Sequence, residues 1–230
     1  QSKGFTLMKT DKRSSYTVFH YRLQKPHNSY ISGFQRGLYD SGFIDCEVSG
    51  IKYPMRIAKG ISGSNQEDSR TRLIADTLKE LGPKPSTTAM VVNPGQGHGA
   101  VLISEINRFK TIELVGRDLL SLEITRDNLV CNGIQPAQIT LGHKSIPITQ
   151  PTRTPNLILI ELTDNNRRRE VSSGILNLAS QKLAAIGTII VSGKSTTITR
   201  VEKSMLSTPS LLTVRRKRRK GNSILTLRRG

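Results

Sequence analysis

From Gln66 onward, short apolar runs alternate with stretches whose apolar residues recur at helical spacing, and this alternation restricts the chain more than any other feature. Ala89–Val92, Thr111–Val115, Leu157–Leu162 and Thr188–Val191 are dominated by apolar residues, as in strands covered on both faces. Gln138–Leu141 reads as a brief strand, Leu211–Val214 as a late one, and Ser223–Leu227 alternates weakly. Leu73, Ile74, Thr77, Leu78 and Leu81 fall on one helical face that stops at Gly82-Pro83. Gly97–Ile106, Leu119–Cys131 and Arg169–Ala185 read as further helices. Strands and amphipathic helices in this order predict an α/β fold: a doubly wound, mainly parallel, seven-stranded sheet with helices on both faces.

Residues 1–65 have a different texture and are expected to form a small N-terminal α+β subdomain ahead of a main domain at 66–230. They hold most of the aromatics: Phe5, Tyr16, Phe19, Tyr21, Tyr30, Phe34, Tyr39, Phe43 and Tyr53. Tyr16–Leu23 and Phe43–Val48 read as strands. Ser49-Gly50 before Ile51–Ile57 predicts a hairpin with a two-residue turn, its second strand held to an edge by Pro54.

The chain carries 35 basic and 17 acidic residues, a net charge of +18, which calls for an acidic partner, nucleic acid first. No apolar run approaches a membrane span, Gln1–Lys25 is too polar for a secretory leader, and no long basic amphipathic helix favours a lipid surface. Cys46 and Cys131, the only cysteines, form neither a disulfide framework nor a zinc pair, so a reduced, cytoplasmic protein is expected. His20, His27, His98 and His143 are scattered without ligand spacing, so no metal site is expected.

Val91-Val-Asn93-Pro-Gly95-Gln-Gly97-His-Gly99-Ala sits where a strand hands over to a helix. Glycines there let backbone approach a ligand closely, and the helix amino terminus can receive a negative group. A tight structural turn is the alternative. Asp118 follows just after the next apolar strand, where a carboxylate can accept hydrogen bonds from ribose hydroxyls. It also suits the amino cap of the helix beginning at Leu119.

Asn93-Pro-Gly-Gln-Gly-His-Gly99 resembles the first motif of class I S-adenosylmethionine-dependent methyltransferases. Leu114-Val-Gly-Arg-Asp118 and its helix, closed by Asn128 and Asn132-Gly133, are similar to the second motif of the small-domain enzymes that methylate guanine N2 in ribosomal RNA. The resemblance covers roughly residues 66–200 and implies a Rossmann-like methyltransferase fold with S-adenosylmethionine as cofactor. It implies that Gly95, Gly97 and Gly99 line the methionine part, that Asp118 holds the ribose, and that the loop around Gly142-His143 lies near the adenine. Asn93 stands where the family usually has an acid; its amide can still accept a hydrogen bond from the cofactor's ammonium. The fourth strand ends Ile160-Glu-Leu-Thr-Asp-Asn165 in place of Asn/Asp-Pro-Pro-aromatic, so Glu161, Asp164 and Asn165 are the candidate acceptors for a target amine. Glu161 has a plainer alternative, capping the strand and pairing with Arg167 or Arg168.

Arg215-Arg216-Lys217-Arg218-Arg219-Lys220 and Arg167-Arg168-Arg169 are the candidate phosphate contacts, with solvated charge as the alternative. Aromatics of the first 65 residues can stack on unpaired bases or form a small core of their own. Gly193-Lys-Ser195 lacks the first glycine of a phosphate loop, because position 188 is Thr188. The expected activity is therefore methyl transfer from S-adenosylmethionine to RNA, at a base amine of ribosomal RNA. The alternative is an RNA-binding module on a scaffold that has lost turnover. Oligomeric state is not encoded in any of these features.

Overall fold

The computed structural model describes residues 5–15, 17–23, 39–61, 68–82, 88–144, 154–162, 169–205 and 211–229. The chain divides into two compact units, Gln1–Leu38 and Tyr39–Gly230. In the first, β1 (Phe5–Lys12) and β2 (Thr17–Leu23) pair antiparallel, with Leu7 opposite Tyr21 and a bulge between Leu7 and Lys9.

The second unit opens with the hairpin of β3 (Asp40–Val48) and β4 (Ile51–Ala58). Its two-residue turn places Ser49 and Gly50 at φ 50° and 78°, the left-handed pair that such a turn requires. The sequence reading grouped this hairpin with residues 1–65, but its inner face belongs to the main body. Tyr53, Met55 and Ile57 alternate inward and share one core with Leu73, Leu78, Leu102 and Leu122. The main unit therefore begins at Tyr39, because burial of that face binds the hairpin to the helices that follow.

Next come α1 (Ser69–Leu81), β5 (Thr88–Val92), α2 (His98–Asn107), β6 (Thr111–Gly116), α3 (Leu119–Cys131) and β7 (Ile139–His143). They are followed by β8 (Leu157–Glu161), α4 (Arg169–Lys182), β9 (Thr188–Lys194), α5 (Ser195–Met205), β10 (Leu211–Arg219) and β11 (Asn222–Arg229). Asp68 caps α1 by accepting from Thr71 N, and Gly82 ends it, as the Gly-Pro signal predicts. Sheet order is β10-β11-β9-β8-β5-β6-β7. The five strands from β9 to β7 run parallel, and β11 is antiparallel to both β9 and β10. Alternate residues feed opposite cores. Val91, Leu114, Leu157 and Leu159 pack with α1, α2 and α3. Met90, Val92, Ile158 and Ile160 pack with α4 and α5. Burial on both faces explains why these strands read as continuous apolar runs.

β5 lies between β6 and β8, so chain order reverses on either side of it. At such a switch point a crevice opens outside the carboxyl ends of the strands, which is where the candidate residues stand.

Candidate active site

The turn leaving β5 is built from alternate left-handed residues: Asn93, Gly95 and Gly97 have φ of 56°, 58° and 98°. Asparagine tolerates that region better than most residues with a Cβ. Asn93 N donates to Val115 O at 2.8 Å, which ties the turn to β6. Gly97 caps α2 and, as a glycine, offers no side-chain acceptor to the helix's first amides, which have no intrahelical acceptor. Gly99 is required by close packing: a Cβ there would stand 2.5 Å from Leu159 Cδ2 and 2.7 Å from Glu161 Oε1. Both the structural and the ligand readings of this turn therefore have a basis in its geometry.

Asp118 stands at the end of β6 as the cap of α3, where Oδ1 accepts from Ser121 N at 3.2 Å. Its side chain is exposed, so capping leaves the carboxylate open to the crevice. Ser121 Oγ donates to Gly95 O at 2.7 Å and locks the cap of α3 against the glycine turn. His143, exposed at the end of β7, has Nε2 3.0 Å from Arg117 O, beside Asp118. The carboxyl ends of β5, β6 and β7 thus bring together Asn93, Gly95, Gly97, Gly99, Asp118 and His143.

Glu161 ends β8, the neighbour of β5 on the other side, and only 6 % of its surface is accessible. Its Oε2 lies 3.8 Å from Arg70 Nη2, and Oε1 has no hydrogen-bond partner among the described residues. Burial raises its pKa to about 7, the nearby Arg70 guanidinium opposes that rise, and Asp68 adds to it. Among the described residues its ion-pair partner is Arg70 on α1; sequence reasoning offered Arg167 or Arg168. Those two arginines, with Asp164 and Asn165, lie outside the described residues. Arg169 is the first residue of α4.

A network of side-chain amides holds the turn to the hairpin; sequence reasoning named Asn128 and Asn132 only as closing the helix and did not single out Gln96. Gln96 brackets Ala58, accepting from its N–H at 3.2 Å and donating to its carbonyl at 2.8 Å. Asn128, fully buried, does the same for Arg56 at 2.6 and 3.0 Å, and also donates to Gln96 O at 2.9 Å. Asn132 Nδ2 reaches Pro54 O at 2.9 Å. These amides occupy the outer edge of β4, where Pro54 has no N–H to give. Tyr53 Oη lies 3.0 Å from His98 Nδ1, closing a buried contact between β4 and the start of α2. The signal available in the sequence was polar amides at Asn128 and Asn132 on a helix otherwise turned to the core.

The basic run forms the outermost strand, β10, with only Lys220 in the turn, at φ 44°. Its side chains alternate between the two helical layers. Arg215 and Lys217 both pair with Glu80 of α1, the lysine at 2.6 Å. Arg216 pairs with Glu202 of α5 and donates to Thr199 Oγ1 at 2.7 Å. Arg218, Arg219 and Lys220 are exposed. Gly193-Lys194-Ser195 is a strand-to-helix junction in which Gly193 packs on Leu162. Among the described residues, no group of three His, Cys, Asp or Glu side chains is placed to hold a metal, and no helix is long and apolar enough to cross a membrane.

This sheet, with its helices on both faces and a glycine turn at the switch point, is the fold of the class I S-adenosylmethionine-dependent methyltransferases. Among particular solved structures, the 16S rRNA N2 methyltransferase RsmC of T. Thermophilus, crystallised with AdoMet and guanosine, superposes with a TM-score of 0.69 at 11 % identity. That match covers 96 % of this chain and 58 % of RsmC, so this chain spans little more than half of that protein's length. A ribosomal protein L11 methylase from Lactobacillus delbrueckii subsp. bulgaricus matches with a TM-score of 0.62 at 19 % identity, over 75 % of this chain and 83 % of that one. Trm5b of Pyrococcus abyssi follows at 0.58 and 11 % identity, over 96 % and 62 %. No protein-family model and no curated protein matches the sequence. At these identities the likeness establishes the fold, and the activity rests on the residues of the crevice.

Proposed function

We propose that this protein transfers a methyl group from S-adenosylmethionine to RNA, at a base amine of ribosomal RNA, and that it works in the cytoplasm. The observation that carries this is the hydrogen bond between Ser121 and Gly95, which fixes an open carboxylate, Asp118, beside a left-handed glycine turn at the switch point. The donor set fits the cofactor: Asp118 would accept from ribose hydroxyls, and the turn at Asn93, Gly95 and Gly97 would pass its backbone along the methionine part. His143 would border the adenine. When bound, S-adenosylmethionine supplies an electrophilic methyl group for in-line displacement, a reaction that depends on alignment more than on acid or base power.

A base amine that accepts a methyl group must then shed a proton. Glu161 is suited to take it, because a carboxyl with a pKa of about 7 is poised between its two states near neutrality. Asp164 and Asn165 follow it in the chain and would complete the acceptor side. RNA as the substrate is supported by the charge of +18 and by the exposed cations at Arg218, Arg219 and Lys220. A second reading, an RNA-binding module without turnover, draws support from Leu162-Thr-Asp164, which follow Glu161 where the resembled enzymes place two prolines and then an aromatic ring.

Tritium transfer from labelled cofactor, with the products split by nuclease and by protease, tests the proposal. Label released by nuclease supports RNA methylation. Label released only by protease points to a protein substrate and refutes it. Cofactor binding with no transfer to any RNA favours the second reading.

A further inference from the structure

We infer that the β1–β2 hairpin is a stacking platform for single-stranded RNA, with Phe19 and Tyr21 as its base-contacting rings. The inference rests on the RNA reading above and adds the form of RNA and the surface that takes it. Phe19 and Tyr21 are two residues apart on β2, so both rings project from the same face of the ribbon. Their centroids are 6.5 Å apart and their planes 32° apart. Leu7, directly opposite Tyr21, extends the same face. All three are open to solvent, with accessibilities of 54 % for Phe19, 59 % for Tyr21 and 48 % for Leu7. The alternative from sequence, a small core of their own, is therefore not what these residues form.

Charge selects the occupant. Residues 1–38 hold seven basic side chains and one acid, Asp11, for a net charge of +6. Asp11 is already engaged, by Lys9 at 2.8 Å and by His20 at 3.0 Å. Lys12, Arg13 and Arg22 remain exposed around the ribbon. Rings for bases and cations for phosphates are the two elements of sequence-tolerant single-strand binding. A duplex offers its bases no stacking partner outside the helix, so the rings discriminate between the two forms of RNA.

The test uses the full chain, a fluorescein-labelled 12-nucleotide oligouridylate and a duplex RNA of the same length. Phe19→Ala with Tyr21→Ala is expected to weaken oligouridylate binding at least about tenfold, while duplex affinity and the heat of S-adenosylmethionine binding stay unchanged. Phe19→Trp keeps a ring and should restore the affinity. The chain has no other tryptophan, so the new indole reports directly, and its fluorescence should be quenched as bases stack on it. Unchanged oligouridylate binding by the double alanine variant overturns the inference and leaves the RNA reading intact. Failure of the wild-type protein to bind either RNA overturns both. Equal losses on single-stranded and duplex RNA would also overturn it.

Discussion

Replacing Glu161 with glutamine isolates the cost of a charge at the end of β8. The native protein holds the Glu161 proton up to about pH 7, whereas an exposed glutamate releases it near 4.5. Between those values folding takes up a proton, so this group's contribution to stability falls as pH rises and levels off above about 7. At about 1.4 kcal/mol for each pH unit between the two values, the loss reaches about 3 kcal/mol. Glutamine mimics the protonated side chain in shape and carries no charge. Glu161→Gln should therefore match the wild type near pH 4.5 and exceed its stability by about 3 kcal/mol at pH 8. For a chain of this length that corresponds to a rise in Tm of about 6–12 °C. Urea denaturation at pH 4.5, 6, 7 and 8 measures it. A variant less stable than the wild type at pH 8 would refute the reasoning, because the Arg70 pair would then outweigh the desolvation of the carboxylate. If Glu161 takes the proton, the wild-type methyl-transfer rate should rise through about pH 7, and the same variant should lose that rise.

Asn128→Ala removes three hydrogen bonds, one buried and two part-buried, to the backbone of Gln96 and Arg56 and should cost about 3 kcal/mol by chemical denaturation, with weaker cofactor binding as the turn loosens. Gly99→Ala pushes a methyl group into Leu159 and the Glu161 carboxyl, so a loss of about 1–3 kcal/mol is expected in thermal unfolding. Arg218, Arg219 and Lys220 changed together to glutamine should reduce the slope of log affinity against log salt by up to about 2 on RNA, with stability unaffected. Arg216→Gln should instead cost about 1.5–3 kcal/mol of stability through its lost bonds to Glu202 and Thr199, and should leave that slope nearly unchanged.

The parallel sheet was legible because strands buried on both faces must be apolar throughout, and helix ends at Gly82 and Asp118 carry explicit stop and start chemistry. Helix α5 was not, because Ser195–Met205 opens Ser-Thr-Thr-Ile-Thr, residues that suit strands as well as helices, and only Ile198, Val201 and Met205 mark its inner face. β1 escaped notice for a related reason: its exposed Leu7 and Met8 sit among polar neighbours and have no core to impose a pattern. The place of the β3–β4 hairpin is a tertiary fact. It depends on amides contributed by Gln96, Asn128 and Asn132, far along the chain, and no local pattern encodes such pairings. At the site, strand ends and the turn were readable from spacing, whereas the Arg70 partner of Glu161 was not, since α1 reaches β8 only in three dimensions. The basic run showed its charge in sequence but not its division between pairs to Glu80 and Glu202 and free solvent.

The account stands on a methyl-donor site at the carboxyl ends of β5 and β6, and calorimetric titration with S-adenosylmethionine tests it most directly. Saturable one-to-one binding is predicted, weakened by about 1.5–3 kcal/mol, roughly 10- to 150-fold, in Asp118→Ala. Absence of any binding heat from the wild-type protein at millimolar S-adenosylmethionine, or an affinity indifferent to Asp118, would contradict it.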